Sequence, residues 1–192
     1  MSGELTIPQS IELTKGVTVW MTGLPSSGKS TIGRLLERQL RKANLKVELL
    51  DGDVIRTNLS KGLSFSREDR DINIKRVGFV CQLLTRNGVI AIATVISPYR
   101  EIRDYVRRMV GNFVEVYIKT SVQECEKRDV KGLYKQARAG QISGFTGIDD
   151  PYEEPLSPEV ICETERETPE ESVQKVINRL QELGYLKIAK IA

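Results

Sequence analysis

The sequence predicts an α/β fold in which a five-stranded, mostly parallel sheet carries helices on both faces. Apolar runs of strand length alternate with segments whose apolar residues recur at helical spacing, which is typical of this architecture. The run VIAIATVI (residues 89–96) is apolar on both faces and is predicted to lie in the sheet centre. The length of 192 residues and the lack of an internal repeat or low-complexity linker predict one domain over residues 1–192.

Five strands are predicted to alternate with helices. The strands are Val17–Thr22, Val47–Leu50, Val89–Ile96, Phe113–Ile118 and Val160–Cys162. Three helices show one buried stripe each, formed by Ile32, Leu35, Leu36 and Leu40, by Val77, Val80, Cys81 and Leu84, and by Val173, Val176, Ile177, Leu180 and Leu183.

The last helix carries clear start and stop signals. Thr168 and Glu171 form a capping-box pattern around Pro169, and Gly184 follows where a helix would end. These signals predict a helix between residues 169 and 183.

One segment, residues 130–158, mixes glycine, proline and both charge signs without a sustained period. Long irregular segments in compact α/β domains are often lids, so a lid is predicted here. A disordered surface insertion is the alternative. The aromatic residues Tyr134, Phe145 and Tyr152 favour the ordered lid.

Composition excludes several function classes. The chain has no histidine, which rules out a histidine general base, a Ser-His-Asp triad and any zinc site that needs imidazole. A net charge of +3, from 29 Lys and Arg against 26 Asp and Glu, argues against a nucleic-acid partner. Three widely spaced cysteines suggest neither a disulfide framework nor a metal site. The chain has no export signal at its amino terminus and no apolar stretch of about 18 residues, so we expect a cytoplasmic protein with no membrane partner.

The strongest motif is GLPSSGKS at residues 23–30, between the first predicted strand and the first helical stripe. It matches the phosphate-binding P-loop pattern in full, which predicts a P-loop NTPase fold. Gly23 and Gly28 allow successive backbone N–H groups to point at phosphate oxygens, and the helix N-terminus adds partial positive charge. Lys29 is expected to reach the β- and γ-phosphates of ATP, and Ser30 is expected to ligate Mg²⁺. A GTPase is not favoured because the guanine-specifying NKxD is absent from the sequence.

Charged residues after the second predicted strand indicate a site for a phosphoryl acceptor. Asp51 and Asp53 lie at the carboxyl edge of the sheet, where doubly wound folds bind ligands. Asp53 can ligate Mg²⁺ or accept a hydroxyl proton, whereas Asp51 is either functional or a turn or cap carboxylate. The basic and aromatic residues that follow suit phosphate, sulfate and base binding, unless they form a solvated helix face: Arg56, Phe65, Arg67, Arg70, Asn73, Lys75 and Arg76.

Six motifs in this order resemble the adenylylsulfate kinase (APS kinase) family: GLPSSGKS (23–30), DGDVIR (51–56), FSREDRDIN (65–73), ISPYR (96–100), KGLYKQARAG (131–140) and GFTGID (144–149). The resemblance spans roughly residues 13–185. It implies an enzyme of sulfate assimilation that transfers the γ-phosphoryl of ATP, with Mg²⁺, to the ribose 3′-hydroxyl of adenosine 5′-phosphosulfate. The products would be 3′-phosphoadenylyl sulfate and ADP. The resemblance also implies a homodimer.

The resemblance assigns the site by motif. ATP would be bound by Gly23, Leu24, Pro25, Ser26, Ser27, Gly28, Lys29, Ser30, Thr31, Arg128 and Thr164, the last two at the adenine. The acceptor would be bound by Asp53, Val54, Ile55, Arg56, Phe65, Arg70, Asp71, Ile72, Asn73, Ile96, Ser97, Lys131, Gly144 and Phe145, with its adenine between Phe65 and Phe145. Catalysis would rest on Lys29, Asp53, Ser97 and Lys131, and Mg²⁺ would be held by Ser30 and Asp53.

Ser97 has two interpretations. In the family that the chain resembles, this serine has been assigned as a phosphoserine intermediate. Direct in-line transfer is simpler, because the sequence shows no base beside Ser97 and a covalent intermediate adds a step. We therefore predict that Ser97 binds the acceptor.

Two positions depart from the family pattern. Ile72 stands where the helix motif DRxEN often has an acidic residue, and Glu163-Thr164 stands where the last strand often ends in Asp-Thr. The first departure leaves Arg70 and Asn73 in place, and the second makes the adenine loop less defined.

Two alternative functions are considered. Another small-molecule or nucleotide monophosphate kinase is the nearest one, although the motifs around Phe65 and Phe145 argue against it. A catalytically silent nucleotide-binding regulatory module is the second. The joint presence of Lys29, Ser30, Asp53 and Lys131 argues against loss of transfer activity.

Overall fold

The computed structural model describes residues 11–188, and within them the fold has seven strands and seven helices. In chain order they are β1 (Ile11–Leu13), β2 (Val17–Thr22), α1 (Lys29–Lys42), β3 (Val47–Asp51), α2 (Gly52–Asn58), α3 (Arg67–Arg86), β4 (Ile90–Thr94), α4 (Arg100–Val110), β5 (Phe113–Lys119), α5 (Val122–Arg128), α6 (Leu133–Arg138), β6 (Val160–Glu163), α7 (Pro169–Glu182) and β7 (Leu186–Ile188). The expected absence of an amino-terminal export signal falls mainly on residues outside this range.

The five predicted strands are confirmed as β2 to β6, and they form one wholly parallel sheet in the order β3-β4-β2-β5-β6. The prediction that the VIAIATVI run occupies the sheet centre is only partly right. Its strand β4 is interior, but β2 holds the middle position. Both strands are buried along their whole length, so apolar character alone could not separate them.

Alternating side chains of the sheet build two core layers. Val19 and Met21 pack in a cluster with the apolar stripes of α1 and α7, whereas Trp20 packs in another with α3 and α4. The sheet is therefore covered on both faces, as predicted, and its carboxyl edge is left for the loops that follow β2, β3 and β4.

The last helix begins and ends as predicted. The Thr168 side chain accepts from the Glu171 backbone N–H, the Glu171 side chain accepts in return from the Thr168 backbone, and Pro169 opens the helix. Gly184 follows it with a φ of +72°, in the left-handed region that glycine tolerates.

A second, two-stranded sheet was not predicted. β1 pairs antiparallel with β7, with Ile11 opposite Ile188 and Leu13 opposite Leu186. Strands of three residues are too short to show a periodic pattern, so neither strand could be predicted from the sequence. Within the residues that the structure covers, no helix is both long and apolar enough to cross a membrane.

Candidate active site

The P-loop joins β2 to α1, and at two of its positions the backbone conformation requires glycine. Gly23 has a φ of +155°, and a Cβ built there would lie 2.5 Å from the carbonyl oxygen of Ile118. Gly28 caps the start of α1 in the left-handed region, with a φ of +107°. These glycines let the loop turn tightly against the end of β5, which leaves the start of α1 facing the carboxyl edge of the sheet.

Lys29 lies inside this loop and is buried. Its Nζ donates to the carbonyl oxygens of Gly23 (3.0 Å) and Leu24 (2.6 Å) and to Ser27 Oγ (3.3 Å). Burial lowers the pKa of Lys29 to about 8, and the neighbouring charges of Asp51 and Asp53 oppose that shift more weakly. A cation held by three neutral oxygens is suited to exchange them for the charged oxygens of a phosphate.

Asp51 ends β3 and caps the following helix. Its Oδ1 accepts a hydrogen bond from the backbone N–H of Asp53 (3.1 Å), so the cap interpretation is correct for this oxygen. Its Oδ2 is buried without a hydrogen-bond partner, and the nearest cation, Arg34, lies 3.6 Å away. Thr94 stands opposite Asp51 in the β3–β4 pairing, and its buried Oγ1 also lacks a partner. This edge of the sheet therefore offers unused oxygen ligands.

Asp53 lies in the first turn of α2 and is mostly exposed. Its carboxylate forms an ion pair with Lys131, which lies in the loop between α5 and α6. The two residues are 78 positions apart in the chain. The structure therefore brings the proposed catalytic base, Asp53, and the proposed lid lysine together.

The segment 130–158 is ordered and packed, which disagrees with the alternative of a disordered insertion. Residues 133–138 form α6, and the Tyr134 hydroxyl donates to the carbonyl oxygen of Pro25 in the P-loop (3.1 Å). Tyr134 meets Phe145 edge to face, with ring centroids 4.9 Å apart. Leu24 and Cys125 complete this third core cluster. The segment thus rests directly on the phosphate-binding loop.

Arg70 connects this segment to α3. Its guanidinium donates to the carbonyl oxygens of Phe65 (2.8 Å) and Gly144 and to Thr146 Oγ1, and it pairs with Asp150 (3.0 Å). Arg70 is itself buried. One guanidinium therefore holds the Phe65 loop against the segment that carries Phe145.

The two aromatic residues proposed to enclose the acceptor adenine differ in exposure. Phe65 is 60% exposed, and the Arg56 guanidinium lies over its ring at 4.3 Å from the centroid. Phe145 is 9% exposed because it packs on Tyr134. Phe65 is therefore free to stack on a ligand, whereas Phe145 offers one part of its surface.

The remaining residues proposed to bind the acceptor differ in burial and in their hydrogen bonds. Ile55 is buried in the core under α2, so only its backbone can reach a ligand, whereas Val54 is exposed. Asn73 is buried on α3 and its Oδ1 has no hydrogen-bond partner, and one Asp71 oxygen is likewise unpartnered. Burial raises the pKa of Asp71. Ile72 and Ile96 are half-buried.

Ser97 follows β4 and is 1% exposed. Its Oγ accepts from Trp20 Nε1 (3.1 Å) and donates to Thr22 Oγ1 (3.0 Å). Its backbone has a φ of +41°, which a residue other than glycine adopts rarely. The side chain is therefore held within the protein rather than presented to the surface.

Arg128 and Thr164 meet on the other side of the P-loop. Arg128 donates to Thr164 Oγ1 (2.9 Å) and to its carbonyl oxygen (2.7 Å), while Thr164 Oγ1 donates to the carbonyl oxygen of Ser27 (2.9 Å). The loop after β6 is thus fixed to the P-loop in spite of the Glu163-Thr164 departure. Ser30 and Thr31 lie in the first turn of α1 and are half-buried and exposed, respectively.

Comparisons with known proteins identify the family of this chain. The sequence model of the family described as adenylylsulphate kinase matches residues 15–163. The chain belongs to the adenylylsulphate kinase family. The adenylyl-sulfate kinase of Rippkaea orientalis is 62% identical over 172 residues, which are 90% of this chain and 95% of that protein. The adenylyl-sulfate kinase of Picosynechococcus sp. is 60% identical and covers 90% and 97% of the two chains.

A solved member of the adenylylsulphate kinase family has the same fold. The Mycobacterium tuberculosis APS kinase CysC, in complex with AMPPNP and APS, is 42% identical, with a TM-score of 0.84 over 87% of this chain and 98% of that one. The prediction of a P-loop fold with a parallel sheet is thereby confirmed. A gluconokinase from Sinorhizobium meliloti, at 18% identity and a TM-score of 0.62, shares the fold alone.

Within this adenylylsulphate kinase site, the sequence motifs missed Asp150 and Arg103. Asp150 holds Arg70 and also accepts from the Tyr99 hydroxyl (3.1 Å). Arg103 donates to the carbonyl oxygen of Ser97 (2.6 Å). Glu115 is a signal by which Arg103 could have been found. It is the one carboxylate in the apolar strand β5, and a buried carboxylate requires a cationic partner.

Proposed function

We propose that the chain transfers the γ-phosphoryl of ATP to the ribose 3′-hydroxyl of adenosine 5′-phosphosulfate, giving 3′-phosphoadenylyl sulfate and ADP. One observation carries the proposal. The P-loop cation Lys29, the exposed carboxylate of Asp53 and the lid cation Lys131 lie within electrostatic range of one another at one edge of the sheet. Membership of the adenylylsulphate kinase family supports the choice of acceptor.

The donor half of the site is built for a nucleoside triphosphate. Lys29 would exchange its carbonyl partners for β- and γ-phosphate oxygens, and the start of α1 would add backbone N–H donors. Arg128 and Thr164 would lie against the adenine, on a loop already fixed to Ser27. The complex of the Mycobacterium tuberculosis relative with AMPPNP supports a triphosphate donor.

The acceptor half would be formed by α2, α3 and the lid. Phe65 and Phe145 would enclose the adenine, and the positive charges of Arg56 and Arg70 suit the phosphosulfate group. Asp53 would orient the 3′-hydroxyl and accept its proton. Lys131 would leave Asp53 and move to the γ-phosphoryl group as the lid closes, which adds positive charge where negative charge develops.

The side chains at the sheet edge fit Mg²⁺. Ser30, Asp53 and the unpartnered Oδ2 of Asp51 are oxygen donors, which is the ligand type that Mg²⁺ requires. Among residues 11–188, no three acidic, cysteine or histidine side chains are grouped to hold a metal by themselves. An ion bound mainly through phosphates and water, with few protein ligands, is usual for Mg²⁺ in kinases. When bound, it would neutralise charge on the β- and γ-phosphates.

The contacts of Ser97 argue against a phosphoserine intermediate. Its Oγ is engaged by Trp20 and Thr22, and neither partner is a base that could remove its proton. Ser97 is therefore proposed to shape the acceptor pocket.

A homodimer and a cytoplasmic location complete the proposal. The hexameric APS kinase of Thiobacillus denitrificans is 36% identical, with a TM-score of 0.70 over 95% of this chain and 31% of that longer chain, and it supports self-assembly among relatives. The three cysteines are free and buried, which suits a reducing compartment. Light scattering on the purified chain tests the dimer, and a monomer at micromolar concentration would contradict it.

The decisive experiment measures ADP release from ATP with adenylyl sulfate as acceptor, beside AMP, shikimate and gluconate. Of these four acceptors, we expect only adenylyl sulfate to support ADP release, and mass spectrometry should identify 3′-phosphoadenylyl sulfate as the second product. Equal rates with any of the other acceptors would refute the assignment. ATP binding without ADP release in any mixture would instead indicate the silent regulatory module, and Lys29→Met serves as the inactive control.

A further inference from the structure

A buried ion pair lies beneath the acceptor side of the site. Arg103 of α4 is 2% exposed, and its Nε donates to Glu115 Oε1 of β5 at 2.9 Å. Glu115 is 7% exposed in a strand whose neighbouring residues are apolar and buried. Because a buried charge is costly unless it is paired, a charge pair in this layer requires a reason beyond packing.

The other nitrogens of Arg103 supply that reason. Nη1 donates to the carbonyl oxygen of Ser97 and Nη2 to the carbonyl oxygen of Glu153, both at 2.6 Å. Glu153 in turn donates its backbone N–H to the carbonyl oxygen of Pro98 (2.8 Å). One guanidinium therefore joins the loop after β4 to the segment in which the lid returns to the sheet.

The Ser97 backbone needs such support. Its φ of +41° is unfavourable for a residue with a Cβ, and a strained conformation persists only where surrounding contacts hold it. Trp20 and Thr22 hold the side chain, and Arg103 is the charged group that holds the carbonyl. A charge-assisted hydrogen bond is stronger than a neutral one, so Arg103 is the dominant backbone contact here.

We propose that Arg103 is a positioning residue for the acceptor nucleotide: it fixes the Ser97 loop and the returning lid segment in one relative position. This inference rests on the proposed function, in which Ser97 and the lid shape the acceptor pocket. Arg103 does not touch the reacting atoms. Its loss should therefore weaken acceptor binding and leave the ATP side, formed by Lys29 and Arg128, unchanged.

Two variants separate this role from a general contribution to stability. Arg103→Lys keeps a positive charge beside Glu115 but loses the planar fork that reaches two carbonyl oxygens at once. The double variant Arg103→Met with Glu115→Gln removes both buried charges together, so no uncompensated charge is left to unfold the chain. Arg107→Lys is the matched control, because Arg107 pairs with Glu115 (3.3 Å) and Glu159 (2.6 Å) but forms no hydrogen bond with Ser97 or Glu153 within residues 11–188.

The measurements are the KM values for ATP and adenylyl sulfate, and the fluorescence of Trp20. Trp20 is the single tryptophan of the chain, and its Nε1 donates to Ser97 Oγ, so its emission reports the Ser97 loop without any substrate. In both Arg103 variants we expect the KM for adenylyl sulfate to rise about tenfold, the effect of one lost charge-assisted hydrogen bond, with the KM for ATP unchanged. We also expect an altered Trp20 emission spectrum. Arg107→Lys should match the wild type in both KM values and in Trp20 emission.

A wild-type KM for adenylyl sulfate in both Arg103 variants would overturn the inference. Equal rises in both KM values, shared with Arg107→Lys, would also overturn it, because they would indicate a structural role alone. If the wild-type chain does not turn over adenylyl sulfate, the proposed function fails, and Trp20 emission then decides the inference by itself. An emission spectrum unchanged by Arg103→Lys would show that Arg103 does not hold the Ser97 loop.

Discussion

Lys131, in the loop between α5 and α6, and Asp53 of α2 form an ion pair across the candidate active site, and both side chains are largely exposed, at 56% and 70%. An exposed pair contributes little to folding stability, because water and salt screen it. Both charges nevertheless lie where the phosphoryl donor and acceptor are proposed to meet. Substitutions of these two residues therefore separate catalysis from folding.

Asp53→Ala should lower kcat by about 10²- to 10⁴-fold, the usual contribution of a general base. ATP binding, measured by calorimetry, should stay close to that of the wild type. The cap of α2 should survive, because Asp51 accepts from the backbone N–H of residue 53. Asp104→Ala, at an exposed position on α4, is the control. Wild-type turnover in Asp53→Ala would remove Asp53 from the mechanism.

Lys131→Ala should lower kcat/KM by roughly 10- to 100-fold, because a positive charge is lost at the transferring group. The melting temperature should not change, since the lost pair is exposed. Lys127→Ala is the matched control, because Lys127 is also exposed and pairs with Glu124 (3.5 Å) outside the site. If both variants kept full activity, the segment would have no catalytic lysine at this position.

ATP affinity should fall as pH rises through about 8, because free Lys29 loses its proton there. Bound phosphates favour charged Lys29 and raise its pKa, so ATP binding at pH 9 should take up a proton. Calorimetry in buffers of different ionisation enthalpy measures this uptake. Lys29→Met should bind ATP more weakly and show no uptake. If the affinity for ATP did not change between pH 7 and 9.5, Lys29 would have an ordinary pKa.

The same depressed pKa has a consequence for folding. The unfolded chain binds more protons than the folded chain between the folded value of about 8 and the ordinary value of 10.5. Burial of charged Lys29 therefore lowers the free energy of unfolding by its full amount below about pH 8. This destabilisation decreases as the pH rises from about 8 to 10.5. Urea unfolding at several pH values measures the free energy of unfolding of the wild type and of Lys29→Met. The wild type should gain stability relative to Lys29→Met as the pH rises above about 8.

Phe65→Ala should raise the KM for adenylyl sulfate by about tenfold, within the ~1–3 kcal/mol that base stacking on an aromatic ring contributes. Folding stability should be nearly unchanged, because the ring is 60% exposed. Phe79→Ala is a close control, since Phe79 is 54% exposed and lies on α3 outside the site. Equal effects of the two substitutions on acceptor KM would argue against stacking on Phe65.

Local patterns predicted the elements whose signals lie in consecutive residues. The apolar run of β2 followed by GLPSSGKS predicted the strand, the P-loop and the start of α1 together. The capping box of Thr168 and Glu171 gave the start of α7 to the residue. In both cases the stabilising contacts join residues a few positions apart, so their spacing is visible in the sequence.

The missed features depend on contacts between distant segments. Arg70 reaches Gly144 and Thr146 across more than 70 positions, and no local pattern indicates that an arginine of α3 will hold the segment 130–158. Arg103 lies in REIRDYVRRMV, where charged residues suggest a solvated helix face, yet it points to the interior beside Ile102 and Val106. Charge patterning cannot distinguish an inward arginine from an outward one unless its buried partner, here Glu115, is recognised.

The pairing of β1 with β7 joins the two ends of the described chain. Ile11 faces Ile188 at the outer end of the ladder, so a force that pulls these ends apart would break the hydrogen bonds one pair at a time. This small sheet would peel away under load before the parallel sheet bears any force. It also closes a very long loop, so it should form late in folding and exchange its amide protons early. Because Ile11 and Leu186 are also buried in the core cluster with α1 and α7, opening these ends would expose part of that core.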